Sequence, residues 1–375
     1  MKQITTISPE VWADIEQLAS YSKNLINTLQ HDSGAYPASP TFSAYVGFSW
    51  LRDGAFIADA MSACGVPESA ERFFDWCSHV VLQSSHAINT HHESFLNHAG
   101  FDLATALPTR FEFEEAPAPD EPWPDHQIDG YGTWLWALQQ HMIRFPAVSN
   151  RWKESVELSS KYLVASWDSA CYDWWEEHPD RVHTSTLGAV QAGLKAALAM
   201  GGLHSEIRQQ VVEAVDSIDR ELRDCSAAGF LPKWQGSDQV DSSALSLLEP
   251  FGLIDPSDPV FLGTVSKVKS ELLHGFGLHR YGSDSFFGGG LWPLLSCYLA
   301  LTELKAGDRK FAEAVLVWVA SLADEAGNLP EQVDDHLLEP TQQVYWIKRW
   351  GPSARPLLWT HAMFLKLKTE IERDK

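Results

Sequence analysis

Apolar residues recur at three- and four-residue steps over 9–29, 54–65, 67–85, 130–145, 150–167, 185–202, 205–222, 291–304, 308–323 and 354–372. That spacing places them on one face of an α-helix. Gly, Pro or Asp punctuates most of the ends, and about ten to twelve helices are expected. Alternating strands with hairpin turns are scarce. Two helix types alternate. Segment 205–222 is polar on one face, whereas 54–65 and 185–202 are rich in small residues and apolar nearly all round. A helix apolar on every side must be enclosed by other helices. The pattern predicts an all-α chain whose inner and outer helices close into a toroid of about six helical hairpins, an (α/α)6 barrel forming one domain over residues 1–375.

Long connections interrupt this pattern at 33–53, 112–130, 166–183, 277–290 and 326–352, each rich in aromatic or acidic residues. Connections of that length inside a compact domain usually carry function. In an αα-barrel the outer-to-inner connections open on one face, so residues distant in sequence are expected to meet in a single pocket.

Charge narrows the partners. Fifty acidic residues against 28 basic ones give a formal charge of −22. Such a surface repels phosphate backbones and anionic lipids, which excludes nucleic acid and membrane surfaces as partners. Sixteen tryptophans point instead to a neutral ligand, because indoles stack on the apolar faces of sugar rings as well as filling cores. Cys64, Cys77, Cys171, Cys225 and Cys297 are odd in number and far apart, which reads as reduced thiols. No leader-like or membrane-spanning run is evident, and a cytoplasmic location is expected.

Three short constellations carry candidate chemistry. Asp173-Trp174-Trp175-Glu176-Glu177 sets two carboxylates beside two indoles. Apolar surroundings raise a carboxyl pKa, as a general acid at neutral pH requires. Pro330-Glu331-Gln332 follows the turn signal Gly327-Asn328 and offers a second carboxylate beside an amide. In Trp50-Leu51-Arg52-Asp53-Gly54, a guanidinium and a carboxylate could together grip vicinal hydroxyls, or Asp53 could cap a helix. Asp129 before Gly130 reads as a helix cap. Other chemistries fit badly. His92-Glu93 lacks the second histidine of a zincin, with Leu96 in its place. Gly288-Gly289-Gly290 lacks phosphate-loop spacing, and no nucleophile-elbow serine occurs. Neither metal nor cofactor is expected.

Taken together and in order, these segments resemble the glucoamylase-like enzymes of glycoside hydrolase family 15. Tyr45 to Gly54 is similar to the family's substrate segment, and Trp123 with Gln127-Ile128-Asp129-Gly130 to its Trp…Gln-x-Asp-Gly stretch. Asp173 to Glu177 resembles the segment that holds its general acid. Arg280-Tyr281, with Gly290-x-Trp292 downstream, resembles its Arg-Tyr segment. Pro330-Glu331-Gln332 looks like its general-base loop.

The resemblance implies an (α/α)6 barrel that hydrolyses α-glucosides from the non-reducing end with inversion. Glu176 would be the acid and Glu331 the base. Tyr45 would stand at the catalytic centre. Trp50, Arg52, Asp53, Gln127, Asp129, Glu177, Arg280 and Tyr281 would contact glucose, while Trp123, Trp175, Phe286, Phe287 and Trp292 would line the pocket. Two features depart from the family. Tyr45-Val46-Gly47-Phe48-Ser49-Trp50 has one extra residue and a Phe for its second Tyr. Phe286 and Phe287 stand where more polar groups are expected, which bears on how Tyr45 is hydrogen-bonded. Glu177 is expected to raise the pKa of Glu176 by like-charge repulsion.

With no starch-binding module or leading β-sandwich expected, a short α-1,6-linked oligosaccharide such as isomaltose is favoured. α-1,4 malto-oligosaccharides, trehalose and non-catalytic sugar binding are the alternatives.

Overall fold

A computed structural model describes residues 7–113, 123, 125–146 and 151–374. Residues 1–6, where no leader-like run is expected, and 114–122 and 124 of the second long connection lie outside the described residues.

Six helices form the inner layer: α2 (Leu51–Ala63), α5 (Asp129–Arg144), α7 (Thr184–Met200), α9 (Leu245–Leu248), α11 (Pro293–Lys305) and α14 (Leu358–Arg373). They close a ring in which α2 packs on α5, α5 on α7, α7 on α9, α9 on α11, α11 on α14 and α14 back on α2. Every residue of α2 is buried, which explains its lack of a polar face. Small residues let neighbours approach: a Cβ on Gly132 of α5 would lie 2.3 Å from the Ala189 carbonyl oxygen of α7.

Outside the ring lie α1 (Pro9–Leu29), α3 (Pro67–Gln83), α4 (Ser85–Leu96), α6 (Lys153–Ser166), α8 (Ser205–Cys225), α10 (Pro259–Leu272) and α12 (Arg309–Ser321). In α8 the buried residues Ile207, Val211, Ala214, Val215, Ile218, Leu222 and Cys225 form one apolar stripe, and the polar residues lie on the other side. Ser8 caps α1 by accepting the Val11 N–H, ahead of a proline at the first turn. The expected alternation of inner and outer helices is therefore present, with α4 following α3 in the outer layer and α13 (Pro340–Trp350) as a further addition. Helix α13 lies within the stretch 326–352 that the sequence pattern assigns to a connection.

Chain order runs outer to inner six times, and the six outer-to-inner connections share one rim. Backbone hydrogen bonds tie each connection to the next. Strand β1 (Phe48–Trp50) of the first pairs antiparallel with β2 (Arg110–Glu112) of the second, Trp50 opposite Arg110. Tyr172 N–H then donates to the His126 carbonyl, Thr184 N–H to Lys233, Ser242 N–H to Arg280, Leu291 N–H to Val333 and Leu358 N–H to Ala38. Pairing buried backbone groups in this way fixes loops that would otherwise be mobile. A short hairpin, β3 (Leu273–His274) with β4 (Gly277–Leu278), starts the fifth connection. Among the described residues no helix is long and apolar enough to cross a membrane.

Candidate active site

The rim surrounds a cavity of about 680 Å³, within the range of small-molecule sites. Aromatic walls dominate it: Phe42, Trp50, Trp123, Trp175, Phe286, Trp292, Trp346 and Trp350 all line it, with the polar side chains of Arg52, Asp53, Glu176, Glu177, Arg280 and Glu331 between them.

Glu176 reaches this cavity through a strained turn. Its φ is +65°, in the left-handed region that costs a non-glycine residue about 1–3 kcal/mol. Asp173 templates the turn: one carboxylate oxygen accepts the N–H of Trp175 and of Glu177, both at 2.9 Å, and its carbonyl accepts the Glu176 N–H at 3.0 Å. The Glu176 carboxyl then accepts the Trp50 indole N–H at 2.8 Å.

Glu331 is 1% exposed and held by its own N–H to the Ala354 carbonyl at 2.9 Å. Tyr45 donates its hydroxyl to one carboxyl oxygen at 2.9 Å, and Ser353 donates to the other at 3.0 Å. The rings of Tyr45 and Trp50 meet edge to face at 5.5 Å. The two glutamates thus sit at either end of a Trp50–Tyr45 unit, facing one cavity.

Burial dominates their acidity. It pushes Glu176 up to about 7 against the opposing pull of Arg52 and the Trp50 N–H. It also pushes Glu331 up to about 7 against the hydroxyls of Tyr45 and Ser353 and the charge of Arg280. The like charge that adds to the rise at Glu176 is Asp53. Glu177 was expected to play that part, but it is turned away, accepting the Tyr281 hydroxyl and pairing with Arg280 at 3.4 Å.

Two guanidiniums flank the cavity floor. Arg52 donates to Gln127 at 2.6 Å and to Asp129 at 3.0 Å, and lies 3.4 Å from Asp53. Burial lifts the Asp53 carboxyl to about 6 despite Arg52. Neither Arg52 Nε nor the nearer Asp53 oxygen has a protein hydrogen-bond partner among the described residues, and both belong to cavity-lining side chains. Arg280 is clamped by Asp284, with Nε at 2.8 Å, and faces the rings of Trp175, Phe286 and Trp292 at 5.1–5.4 Å.

The structure redraws part of the expected set. Gln127, Asp129, Tyr281 and Phe287 do not line the cavity. Gln127 and Asp129 stand behind Arg52, and Tyr281 stands behind Glu177. Phe287 packs on Phe42 and Trp346. Neither Asp53 nor Asp129 caps its helix: each sits in the first turn, where its carboxylate faces Arg52 instead. His91 is bonded to the Thr105 carbonyl and His92 to Gln210. Sequence reasoning missed Phe42, Arg110, Trp346, Arg349 and Trp350 at the cavity and Ser353 at Glu331. The aromatic density of 342–350 was the available signal for three of them.

Comparison with known proteins places these features. Residues 17–316 match the family model described as glycosyl hydrolases family 15. Isomaltose glucohydrolase of Kribbella flavida is 41% identical over 361 residues, covering 96% of this chain and 94% of the relative. A glycosidase variant solved in complex with glucose superposes with a TM-score of 0.91 at 39% identity, over 98% of this chain and 99% of the other. Hormoconis resinae glucoamylase, 13% identical, shares the fold at a TM-score of 0.64 over 97% of this chain and 74% of its own.

Proposed function

Because the chain belongs to glycosyl hydrolase family 15, we propose that it is an inverting exo-acting α-glucosidase releasing β-D-glucose from short α-1,6-linked oligosaccharides of the isomaltose type. The observation that carries the reading is the pair of buried carboxyls, Glu176 and Glu331, at the two ends of the Trp50–Tyr45 unit on one sugar-sized cavity. The near full-length similarity to an isomaltose glucohydrolase supports the linkage.

In this mechanism Glu176 enters protonated, as burial favours, and gives its proton to the glycosidic oxygen as the C1–O bond breaks. Glu331 enters as a carboxylate, an ionised form that its two hydroxyl donors favour. It takes a proton from the water that adds to C1 from the opposite ring face. Inversion needs the carboxyls about 6.5–9.5 Å apart to admit that water. Arg52 and Asp53 on one side, and Glu177 and Arg280 on the other, hold the glucose hydroxyls. Trp50, Trp123, Trp175 and Trp292 supply flat apolar surface for the ring. The leaving sugar lies toward Arg110, Trp346, Arg349 and Trp350.

Initial rates on isomaltose, maltose and trehalose test the linkage. Fastest release from isomaltose is expected. A clear preference for maltose or trehalose overturns the α-1,6 reading.

A further inference from the structure

Five of the six outer-to-inner connections contribute side chains to the cavity, but the fourth, between α8 and α9, contributes none. It carries instead a lysine that is 3% exposed, Lys233, together with Asp241. A buried ammonium is costly unless paired, so its surroundings define what it is for.

Lys233 Nζ touches three groups. It lies 3.3 Å from Asp173, whose other oxygen holds the N–H groups of Trp175 and Glu177 and so shapes the left-handed turn at Glu176. It donates at 2.7 Å to Asp241, whose carboxylate accepts the Trp175 indole N–H at 2.9 Å. It also sits 3.3 Å from the centre of the Tyr281 ring, and the Tyr281 hydroxyl donates to Glu177. Trp175, Glu176 and Glu177 are therefore all referred, through one intermediary each, to a single charge. Against its burial, Lys233 and the Ser243 donors hold the Asp241 carboxyl below its usual range, keeping it an acceptor.

We infer that Lys233 is a positioning residue for the acid-bearing segment, joining Asp173, Asp241 and Tyr281 into the brace that aims Glu176 at the glycosidic oxygen. The inference rests on the glucosidase reading above. Misplacement of a reacting group by about 1 Å can cost two orders of magnitude. The cost of a displaced acid falls on leaving groups that need a proton. Isomaltose needs one; α-glucosyl fluoride, which departs as fluoride, needs little.

The test compares kcat/KM on these two substrates for the wild type and Lys233→Met. A loss at least ten-fold larger on isomaltose than on α-glucosyl fluoride is expected, in the direction shown by Glu176→Gln as reference. Equal losses on both substrates, or no loss on either, overturn the assignment, because a merely structural lysine would not separate them. Removing Lys233 alone strands two buried carboxylates, so Lys233→Met with Asp241→Asn carries the same comparison if the single variant does not fold. A wild type that cleaves the fluoride but not isomaltose refutes the linkage alone. The comparison then runs on the disaccharide that it does cleave.

Discussion

Replacing Glu331 with glutamine should stabilise the protein in alkaline solution while removing its activity. Burial raises this carboxyl from its ordinary 4.5 to about 7. A folded state with the higher pKa binds the proton more tightly than the unfolded chain, so wild-type stability falls as pH rises from about 4.5 to about 7 and then levels off. At about 1.4 kcal/mol per pH unit, that interval amounts to about 3.5 kcal/mol as an upper bound. Glutamine matches the shape, accepts from one of the two hydroxyls and carries no charge to desolvate. For a chain of this length about 3.5 kcal/mol corresponds to roughly 4 °C in Tm. Calorimetry at pH 8 should therefore give Glu331→Gln a Tm a few degrees above the wild type, and at pH 4.5 the two should coincide. A variant less stable at pH 8, or a difference independent of pH, would refute the reasoning, because the carboxylate would then be a stabilised anion.

Three more outcomes follow from the same geometry. Ser353→Ala removes a donor that favours the ionised base, so the acidic limb of the kcat/KM profile should move up by about one pH unit; an unmoved limb contradicts the assignment. Glu176→Gln should lower kcat on isomaltose by about 10²–10⁴ with the fold intact by circular dichroism. Gly132→Ala drives a methyl toward the Ala189 carbonyl between α5 and α7 and should cost about 1–3 kcal/mol, read as a lower Tm with kcat nearly unchanged.

Much of the barrel was legible because its helices solve one packing problem in two ways. Helices apolar all round, such as α2 and α7, had to lie inside, and α8, with one apolar stripe, had to lie outside. Helix α10 shows the same three- and four-residue spacing in Phe261, Thr264, Val268 and Leu272, but a threonine in the stripe weakens the apolar pattern. Helix α9 has only four residues, too few to show a period. Helix α13 has no buried residue, because its tryptophans face the cavity and Val344, Tyr345 and Ile347 face solvent. Nothing in its pattern separates such a helix from an aromatic loop.

Within the site, residues in compact motifs, Arg52 to Asp53 and Glu176 to Glu177, came together as expected. Asp129 misled because a carboxylate in a first helical turn ordinarily caps, and only the approach of Arg52 from the neighbouring α2 changes its task. Lys233 and Asp241 were invisible for the same reason, each acquiring meaning from a contact made across the rim, and Ser353 from a contact 22 residues back within its own connection.

The configuration of the freshly released sugar tests the central claim most directly. Proton NMR of isomaltose hydrolysis, recorded before mutarotation, should show β-glucose accumulating first, as water added from the Glu331 side requires. Early α-glucose would mean that the two carboxyls do not act across a water molecule.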